Sequence, residues 1–265
     1  MKLVTLGPKG TFSHQAALKA FKKAEIVFAD NIDAVFFRLG EKDIKEALTP
    51  IQNTRSGFVE ETVINLMKYD FSVQGKVEER IIHHLAGKGK LEKAKTLYAH
   101  PHAYRQCKES LDALGVHCKL VETLSNGHSA MQLKLDQKAE SIAIVSPLAT
   151  EIYQLPILEE HIEDDPDNTT MFLLIGKELH KSTGKDCSCF LIFSEPLRAV
   201  ENQIRTLVKE KKGELLKLEN LLLQEGQTPL YFMEMTGHIY DENVQEIVET
   251  LNQKFLLKHL GSYPA

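Results

Sequence analysis

The segment HKSTGKDCSCFLIF, residues 180–193, divides this chain of 265 residues into two parts. Its first seven residues are polar and carry no apolar anchor, which is typical of a linker. It then ends in CFLIF, a continuous apolar run of the length of a strand. We therefore predict a first domain over residues 1–179, a linker over 180–186 and a second domain over 187–265.

In the first part, short apolar runs alternate with segments of helical periodicity. The predicted strands cover residues 3–6, 47–51, 77–87, 96–99, 119–122 and 141–145. Helices are predicted between them, and one of these spans residues 100–115 and ends at Gly115. This alternation predicts an α/β domain whose sheets are largely parallel and covered by helices.

The turns that lead from strand to helix in this part are short, and they are polar or contain glycine. They read GPKGTFS, NTRSGF, AHPHAY, LSNGHSA and VSPLAT. Such turns expose the N–H groups at helix N-termini, which bind anions. Several of them in one domain favour a ligand with more than one negative group, although any one of them taken singly is better explained by helix capping.

In the second part, the predicted order is strand, helix, strand, strand, helix, strand. The first helix carries Val200, Ile204 and Val208 along one stripe, and the second helix carries Val244 and Ile247. The order βαββαβ is that of a ferredoxin-like module. The second part is therefore predicted to be a ferredoxin-like domain.

The charge and the N-terminus argue against several classes of partner. A formal net charge of −5 gives no positive field that would attract nucleic acid or an anionic membrane. The first apolar run, of four residues, is too short for a signal sequence or a membrane span. We therefore expect a cytoplasmic protein without a nucleic-acid or membrane partner.

The sequence contains no recognisable pattern of metal ligands. Cys107, Cys118, Cys187 and Cys189 have none of the spacings of a zinc or redox motif, and we interpret them as packing residues. The nearest candidate for a metal site is the pair of histidines in HPH, residues 100–102, and no third ligand has a matching spacing. No metal is expected.

Four motifs resemble, in chain order, the signatures of the prephenate dehydratase family. They are LGPKGTFSHQAA (6–17), PIQNTRSGFVEET (50–62), HPHAYRQC (100–107) and DNTTMFLLIG (167–176). The second part, which ends in LGSYP (260–264), resembles the regulatory ACT domain that follows the catalytic domain in that family. The resemblance covers essentially the whole chain.

The resemblance implies a fold and an activity. The catalytic domain would have two lobes, like a type II periplasmic binding protein, with the active site in the cleft between them. The family converts prephenate, a dicarboxylate, into phenylpyruvate, water and carbon dioxide without a cofactor, in phenylalanine biosynthesis. The ACT domains imply a homodimer or homotetramer, and phenylalanine as the usual inhibitor.

The resemblance also assigns site residues by motif position. Thr170 would donate a hydrogen bond to the departing hydroxyl group, Asn53 and Thr54 would hold a carboxylate, and Phe172 would pack in the cleft wall. The expected substrate-binding residues are Thr11, Gln52, Arg55, Gly57, His100, His102, Ser125, Asn126 and Met171. Arg55 is included because its spacing from the motif would allow its guanidinium to point into the cleft.

Several of these positions depart from the family pattern. Met171 stands where the family has arginine, Gln52 where it has glutamate and His102 where it has glutamine. The segment from Ser125, SNGHS, lacks the family's threonine. Loss of a positive charge at position 171 together with a negative charge at position 52 would leave the local net charge unchanged. His102 and His128 could supply hydrogen-bond donors or a proton near neutral pH.

The departures leave the activity open. Methionine neither donates a proton nor carries a charge, so Met171 cannot do what the family's arginine does. Besides a working dehydratase, two readings remain: a prephenate decarboxylase that does not aromatise the ring, and a sensor that binds a small molecule without turnover. The identity of the product would separate them.

The effector site of the second part departs as well. The positions that match the family's phenylalanine-binding motifs hold Leu197, Ala199, Glu219 and Asn220. Leu197 stands where a glycine would let the backbone approach a ligand. We therefore predict no inhibition by phenylalanine, or a different effector.

Overall fold

The computed structural model describes residues 2–194, 200–221 and 229–265. The chain forms two α/β lobes and then a four-stranded C-terminal domain. The elements of lobe 1 are, in order, β1 (Lys2–Leu6), α1 (Phe12–Ala20), β2 (Glu25–Ala29), α2 (Ile32–Leu39), β3 (Ile44–Asn53), β4 (Gly57–Phe58), α3 (Glu60–Lys68) and β5 (Ser72–Arg80).

Lobe 2 follows β5 directly. Its elements are β6 (His84–Gly87), a 3-10 turn (Leu91–Lys93), β7 (Thr96–Ala99), α4 (Pro101–Gln106), α5 (Lys108–Ala113), β8 (Lys119–Glu122), α6 (Asn126–Asp136), β9 (Ser141–Val145), α7 (Pro147–Tyr153) and β10 (Ile157–Glu159). The chain then returns to lobe 1 as β11 (Thr169–Gly176). The expected fold class, two α/β lobes with a ferredoxin-like domain, is confirmed.

Each lobe contains a mixed sheet. In lobe 1 the strand order is β2-β1-β3-β11-β5; β1 is parallel to β2 and β3, while β11 is antiparallel to β3 and β5. In lobe 2 the order is β10-β6-β9-β7-β8, and only β9, β7 and β8 run parallel. The prediction of largely parallel sheets holds for only part of each sheet, because β11 in lobe 1 and β6 in lobe 2 each pair antiparallel with both of their neighbours.

The predicted strand over 77–87 is two strands in two sheets. The chain leaves the first sheet at Arg80 and enters the second at His84, so residues 81–83 cross from lobe 1 to lobe 2. The backbone N–H of Ile81 donates to the carbonyl of Asn168, 2.8 Å away, which ties this crossing to the returning one. An apolar pattern shows that backbone is extended and buried, and it cannot show where a strand changes sheet.

The predicted helix over 100–115 is also divided. It breaks at Cys107, whose φ and ψ are −123° and 12°. The carboxylate of Asp164, from the returning crossing, accepts hydrogen bonds from the N–H groups of Glu109 and Ser110 and so caps α5. A cap supplied from more than fifty residues away has no local sequence signal.

The C-terminal domain contains β12 (Asp186–Phe193), α8 (Val200–Glu210), β13 (Leu215–Leu221), β14 (Leu230–Thr236), α9 (Glu242–Asn252) and β15 (Leu256–Pro264). Its sheet order, β13-β14-β12-β15, and its βαββαβ connectivity are those of a ferredoxin-like module. Asp186, assigned to the linker from sequence, is the first residue of β12. Its buried carboxylate accepts hydrogen bonds from Thr183 and Gly184, which holds the linker against the domain.

The two faces of the C-terminal sheet are covered differently. One face packs against α8 and α9, through residues such as Phe190, Ile204 and Ile247. The other face packs against lobe 1 in a shared core, where Phe232 and Tyr263 belong to the same cluster as residues of the lobe 1 sheet. Lobe 1 and the C-terminal domain therefore share one hydrophobic core.

Gly261, in the motif LGSYP, is required by this shared core. A Cβ atom on Gly261 would lie 2.1 Å from the carbonyl oxygen of Val73 in β5, and its φ is 156°. We expect Gly261→Ala to lower the free energy of unfolding by about 2–4 kcal/mol, because backbone would have to move in a packed core. Urea unfolding measures this change.

Gly115→Ala is the matched control. Gly115 also has a positive φ, 69°, but a Cβ atom there would meet nothing within 4 Å. The control isolates the conformational cost of about 1–2 kcal/mol for a non-glycine residue in the left-handed region. Equal losses in the two variants would contradict a role for Gly261 in the close approach of β15 to β5.

Candidate active site

A cleft of about 300 Å³ lies between the two lobes. It is bounded by the end of β3 and the start of β11 on lobe 1 and by the starts of α1, α4 and α6. The residues predicted from sequence that line it are Thr11, Asn53, His100, His102, Ser125, Asn126, Thr170 and Phe172. The structure thus brings together residues from all four motifs and from the SNGHS segment.

Asn53 and Thr170 form the centre of this lining. They are paired in register on β3 and β11, and the amide nitrogen of Asn53 donates to Thr170 Oγ1 over 2.9 Å. The same nitrogen lies 2.8 Å from Asn168 Oδ1 and 3.1 Å from the carbonyl of Thr169. Both side chains are at least nine-tenths buried. The carboxamide of Asn53 therefore holds the start of β11 in place.

The orientation of the Asn53 carboxamide determines what Thr170 can do. Asn53 Oδ1 accepts hydrogen bonds from the N–H groups of Arg55 and Ser56, so its nitrogen must face Thr170. Thr170 Oγ1 is then an acceptor from Asn53, and since it donates to none of the residues that the structure describes, its own proton can be donated to a ligand. The cleft contains a hydroxyl donor whose position is fixed by a buried hydrogen bond.

Two helix N-termini meet across the cleft. Thr11 caps α1 by accepting from the N–H of His14, and Ser125 caps α6 by accepting from the N–H of His128, both over 3.2 Å. A Cβ atom on Gly127 would lie 2.6 Å from the carbonyl oxygen of Lys9, which shows how closely the start of α6 approaches the turn before α1. The remaining first-turn N–H groups lack partners within their helices and can bind carboxylates.

The histidines of the cleft are neutral at neutral pH. Burial lowers the pKa of His100 to about 4, with smaller contributions from the nearby His102 and Arg105. Burial also lowers the pKa of His102. Among the residues that the structure describes, no lysine or arginine lines the cleft. Anionic groups of a ligand are therefore met by N–H and hydroxyl groups.

We expect the pKa of His100 to appear in the pH dependence of stability. The unfolded chain takes up this proton near pH 6.5 and the folded chain near pH 4, so stability falls as the pH falls through that window. His100 Nδ1 accepts from the N–H of His102, a cap that asparagine can replace. His100→Asn should therefore reduce the fall in Tm between about pH 7 and about pH 4.5, measured by differential scanning calorimetry. A fall in Tm of the same size in His100→Asn as in the unmodified protein would contradict the assignment of this low pKa to His100.

His83 lines the cleft and was not among the residues predicted from the sequence. It lies on the crossing from lobe 1 to lobe 2 and is 1% exposed, and burial lowers its pKa. Its Nδ1 lies 3.1 Å from the amide nitrogen of Asn126, and its Nε2 lies 3.0 Å from Gln106 Oε1. An amide nitrogen only donates, so Nδ1 accepts and Nε2–H donates to Gln106. His83 thereby orients Asn126 at the start of α6.

Some predicted site residues lie outside the cleft lining. Arg55 forms an ion pair with Asp165 over 3.1 Å and is half exposed, so its guanidinium does not point into the cleft. Gly57 is exposed, with a φ of 77°, in the turn between β3 and β4. Thr54 accepts from the N–H of Thr169 over 3.1 Å and supports the start of β11 from outside.

Gln52 and Met171 are partners in register on β3 and β11. Because side chains alternate along a strand, both lie on the face of the sheet opposite Asn53 and Thr170. Gln52 donates to Glu219 of the C-terminal domain over 2.6 Å, and Met171 packs against the core shared with that domain. This corrects the prediction that the two residues line the substrate site. The sequence could not show which face would be covered by the second domain.

The predicted effector residues are only partly described. Glu219 and Asn220 lie on β13, and the carboxylate of Glu219 already contacts Gln52 and Lys217. Leu197 and Ala199 lie outside the described residues. Within the described ranges, no helix is long and apolar enough to cross a membrane and no group of three metal-ligating side chains occurs.

Comparison with known proteins gives consistent matches over the chain. The family model for prephenate dehydratase matches residues 3–180. The bifunctional chorismate mutase/prephenate dehydratase of Pseudomonas aeruginosa is 30% identical over 269 aligned positions, which cover 100% of this chain and 73% of the relative. The prephenate dehydratase of Methanocaldococcus jannaschii is 28% identical, over 97% of this chain and 96% of the relative.

A solved structure matches both parts of the chain. It is the prephenate dehydratase of Arthrobacter aurescens in complex with L-Phe, which has a TM-score of 0.86 and is 25% identical. The match covers 100% of this chain and 90% of that protein. The similarity therefore includes the two lobes, the cleft and the C-terminal domain.

Proposed function

Because this chain belongs to the prephenate dehydratase family, we propose that its cleft converts prephenate into phenylpyruvate, water and carbon dioxide, with Thr170 as the hydrogen-bond donor to the departing hydroxyl group. The observation that carries this proposal is the hydrogen bond from Asn53 to Thr170 Oγ1, which leaves the threonine proton free. Both residues line the cleft.

The reaction depends mainly on binding of the substrate and on one hydrogen-bond donor, and it depends less on a strong base. The bond from the ring to its carboxylate breaks, carbon dioxide leaves, and the electron pair moves through the ring as the carbon–oxygen bond to the hydroxyl group breaks. The hydroxyl group leaves as water once it receives a proton, and a donor at that oxygen stabilises the developing charge. Thr170 fits this role by its position and its free proton.

The two carboxylates of the substrate would be held by the N-termini of α1 and α6. Each is a helix of at least nine residues whose first-turn N–H groups lie at the cleft. Neutral His100 and His102 add hydrogen-bonding groups without adding charge. This arrangement orients the substrate so that its ring hydroxyl group meets Thr170.

Product analysis tests this proposal. The purified protein is incubated with prephenate near neutral pH and the products are identified by NMR. Phenylpyruvate is expected. A decarboxylated product that keeps the ring hydroxyl group would replace the proposal with a non-aromatising decarboxylase, and binding without turnover would replace it with a sensor.

We also propose that the C-terminal domain assembles the protein into a homodimer or homotetramer and does not bind phenylalanine in the way usual for the family. The engaged carboxylate of Glu219 supports the second statement, because a ligand there would have to displace Gln52 and Lys217. Calorimetric titration with phenylalanine should show no heat of binding at millimolar concentration. Tight binding of phenylalanine would refute this expectation. Light scattering measures the oligomeric state.

A further inference from the structure

Strand β3 ends in two residues whose side chains point to opposite faces of the sheet. Asn53 points into the cleft and holds Thr170, whereas Gln52 points to the C-terminal domain. The two side chains belong to adjacent residues of one strand, so a displacement of one moves the backbone that carries the other. The end of β3 thus connects the cleft to the C-terminal domain over a single peptide bond.

Gln52 is held between two opposite charges on β13. Its amide nitrogen donates to Glu219 Oε2 over 2.6 Å, and its carbonyl oxygen accepts from the ammonium group of Lys217. Lys217 and Glu219 themselves form an ion pair of 3.2 Å, and the side chain of Lys217 is 19% exposed. A carboxamide suits this position because it donates to the anion and accepts from the cation.

The neighbours of Gln52 complete the contact. Phe58 and Met171 flank Gln52 on β4 and β11. The ammonium group of Lys217 lies 5.6 Å from the centroid of the Phe58 ring, and that ring lies 5.9 Å from the ring of Phe232 in β14. Met171 beside it is uncharged, and the charged groups that the structure shows in contact with Gln52 are those of Lys217 and Glu219.

We propose that Gln52 is a positioning residue for the reaction, through which the C-terminal domain sets the placement of Asn53 and Thr170. The inference rests on the proposed function, since it names the path by which that domain controls the same cleft. A movement of β13 that releases Gln52 would shift Asn53 and thereby Thr170. The pairing of Gln52 with Met171 keeps the end of β3 compatible with Glu219.

A comparison of two lysine contacts tests the path. Lys217→Met removes the cation at Gln52, whereas Lys258→Met removes another contact between the C-terminal domain and lobe 1. Lys258 bonds to the carbonyls of Met67 and Tyr69 at the end of α3 and does not touch β3. We expect Lys217→Met to lower kcat about tenfold with KM changed less than about twofold, and Lys258→Met to leave kcat unchanged.

Introducing opposite charges at Gln52 and Met171 gives a second test. Gln52→Glu places a carboxylate against Glu219 and removes the donor, so kcat should fall about tenfold. Adding Met171→Arg places a cation on the neighbouring strand, and the double variant should recover kcat to within about threefold of the unmodified protein. The Tm of each variant is measured beside kcat, because a loss of stability alone would also be relieved by the second substitution.

A readout that does not need turnover separates this inference from the proposed function. The side-chain amide resonance of Asn53, assigned by its loss in Asn53→Asp, should shift in Lys217→Met and Gln52→Glu and remain in place in Lys258→Met. If the unmodified protein has no dehydratase activity, the proposed function is refuted and the inference about Gln52 is not. Equal effects of the two lysine variants on kcat and on this resonance, or no effect of Gln52→Glu, overturn the inference.

Discussion

Replacing Thr170 with valine is expected to lower kcat for prephenate by about 10²–10³-fold, the usual cost of removing one hydrogen-bond donor from a developing negative charge. Valine has nearly the same shape, and Thr170 is nine-tenths buried, so the packing of β11 against β3 and β5 is retained. KM should change much less than kcat, because the hydroxyl group acts on the bond that breaks. Steady-state kinetics on prephenate measure both.

Thr170→Ser is the matched control for this variant. Serine retains the hydroxyl group that accepts from Asn53, and kcat should stay within about tenfold of the unmodified enzyme. Tm values of both variants should agree with that of the unmodified protein to within a few degrees. A valine variant that keeps more than a tenth of kcat would remove Thr170 from the reaction.

Replacing Asn53 with aspartate is expected to be nearly as damaging, about 10²-fold in kcat, although the two side chains are isosteric. A carboxylate cannot donate to Asn168 Oδ1 or to the carbonyl of Thr169, both of which accept from Asn53. It would instead accept the proton of Thr170, and the hydroxyl donor would then face away from the substrate. Single-turnover kinetics separate this loss from any change in prephenate binding.

Thr170→Val combined with Asn53→Asp tests whether the two residues act as one unit. If the aspartate harms catalysis by capturing the threonine proton, the double variant should be no slower than Thr170→Val alone. If the loss of kcat in the double variant equals the product of the losses in the two single variants, Asn53 acts on the substrate independently of Thr170. Asn53→Ser, which shortens the side chain, serves as a second control for packing.

The departures from the family pattern occur in two places. His102, Ser125 and Asn126 lie in the cleft, where they provide uncharged polar groups. Gln52 and Met171 lie on the other face of the sheet, against the C-terminal domain. The missing arginine is therefore expected to act through the contact between domains and not by touching the substrate.

Adjacent side chains at the end of β3 and at the start of β11 lie on opposite faces of the sheet. For this reason the motif residues could not all be assigned from sequence. The motif order shows that Gln52 and Asn53 belong together, as do Thr170 and Met171. The alternation of side chains along a strand then separates each pair into one cleft residue and one interface residue. Which residue enters the cleft depends on which face the C-terminal domain covers, and that is set by contacts such as Gly261 against Val73.

By itself, the sequence determined the alternation of strands and helices, the ferredoxin-like order after the linker and the family, because these depend on local periodicity and on motifs of adjacent residues. Only the tertiary structure decided that residues 81–83 cross between lobes, that His83 orients Asn126, and that Gln52 and Met171 face away from the cleft. These features depend on contacts between residues that are distant in the chain, such as Gln52 with Glu219. No local pattern encodes such contacts, since each partner is chosen by the packing of the whole molecule.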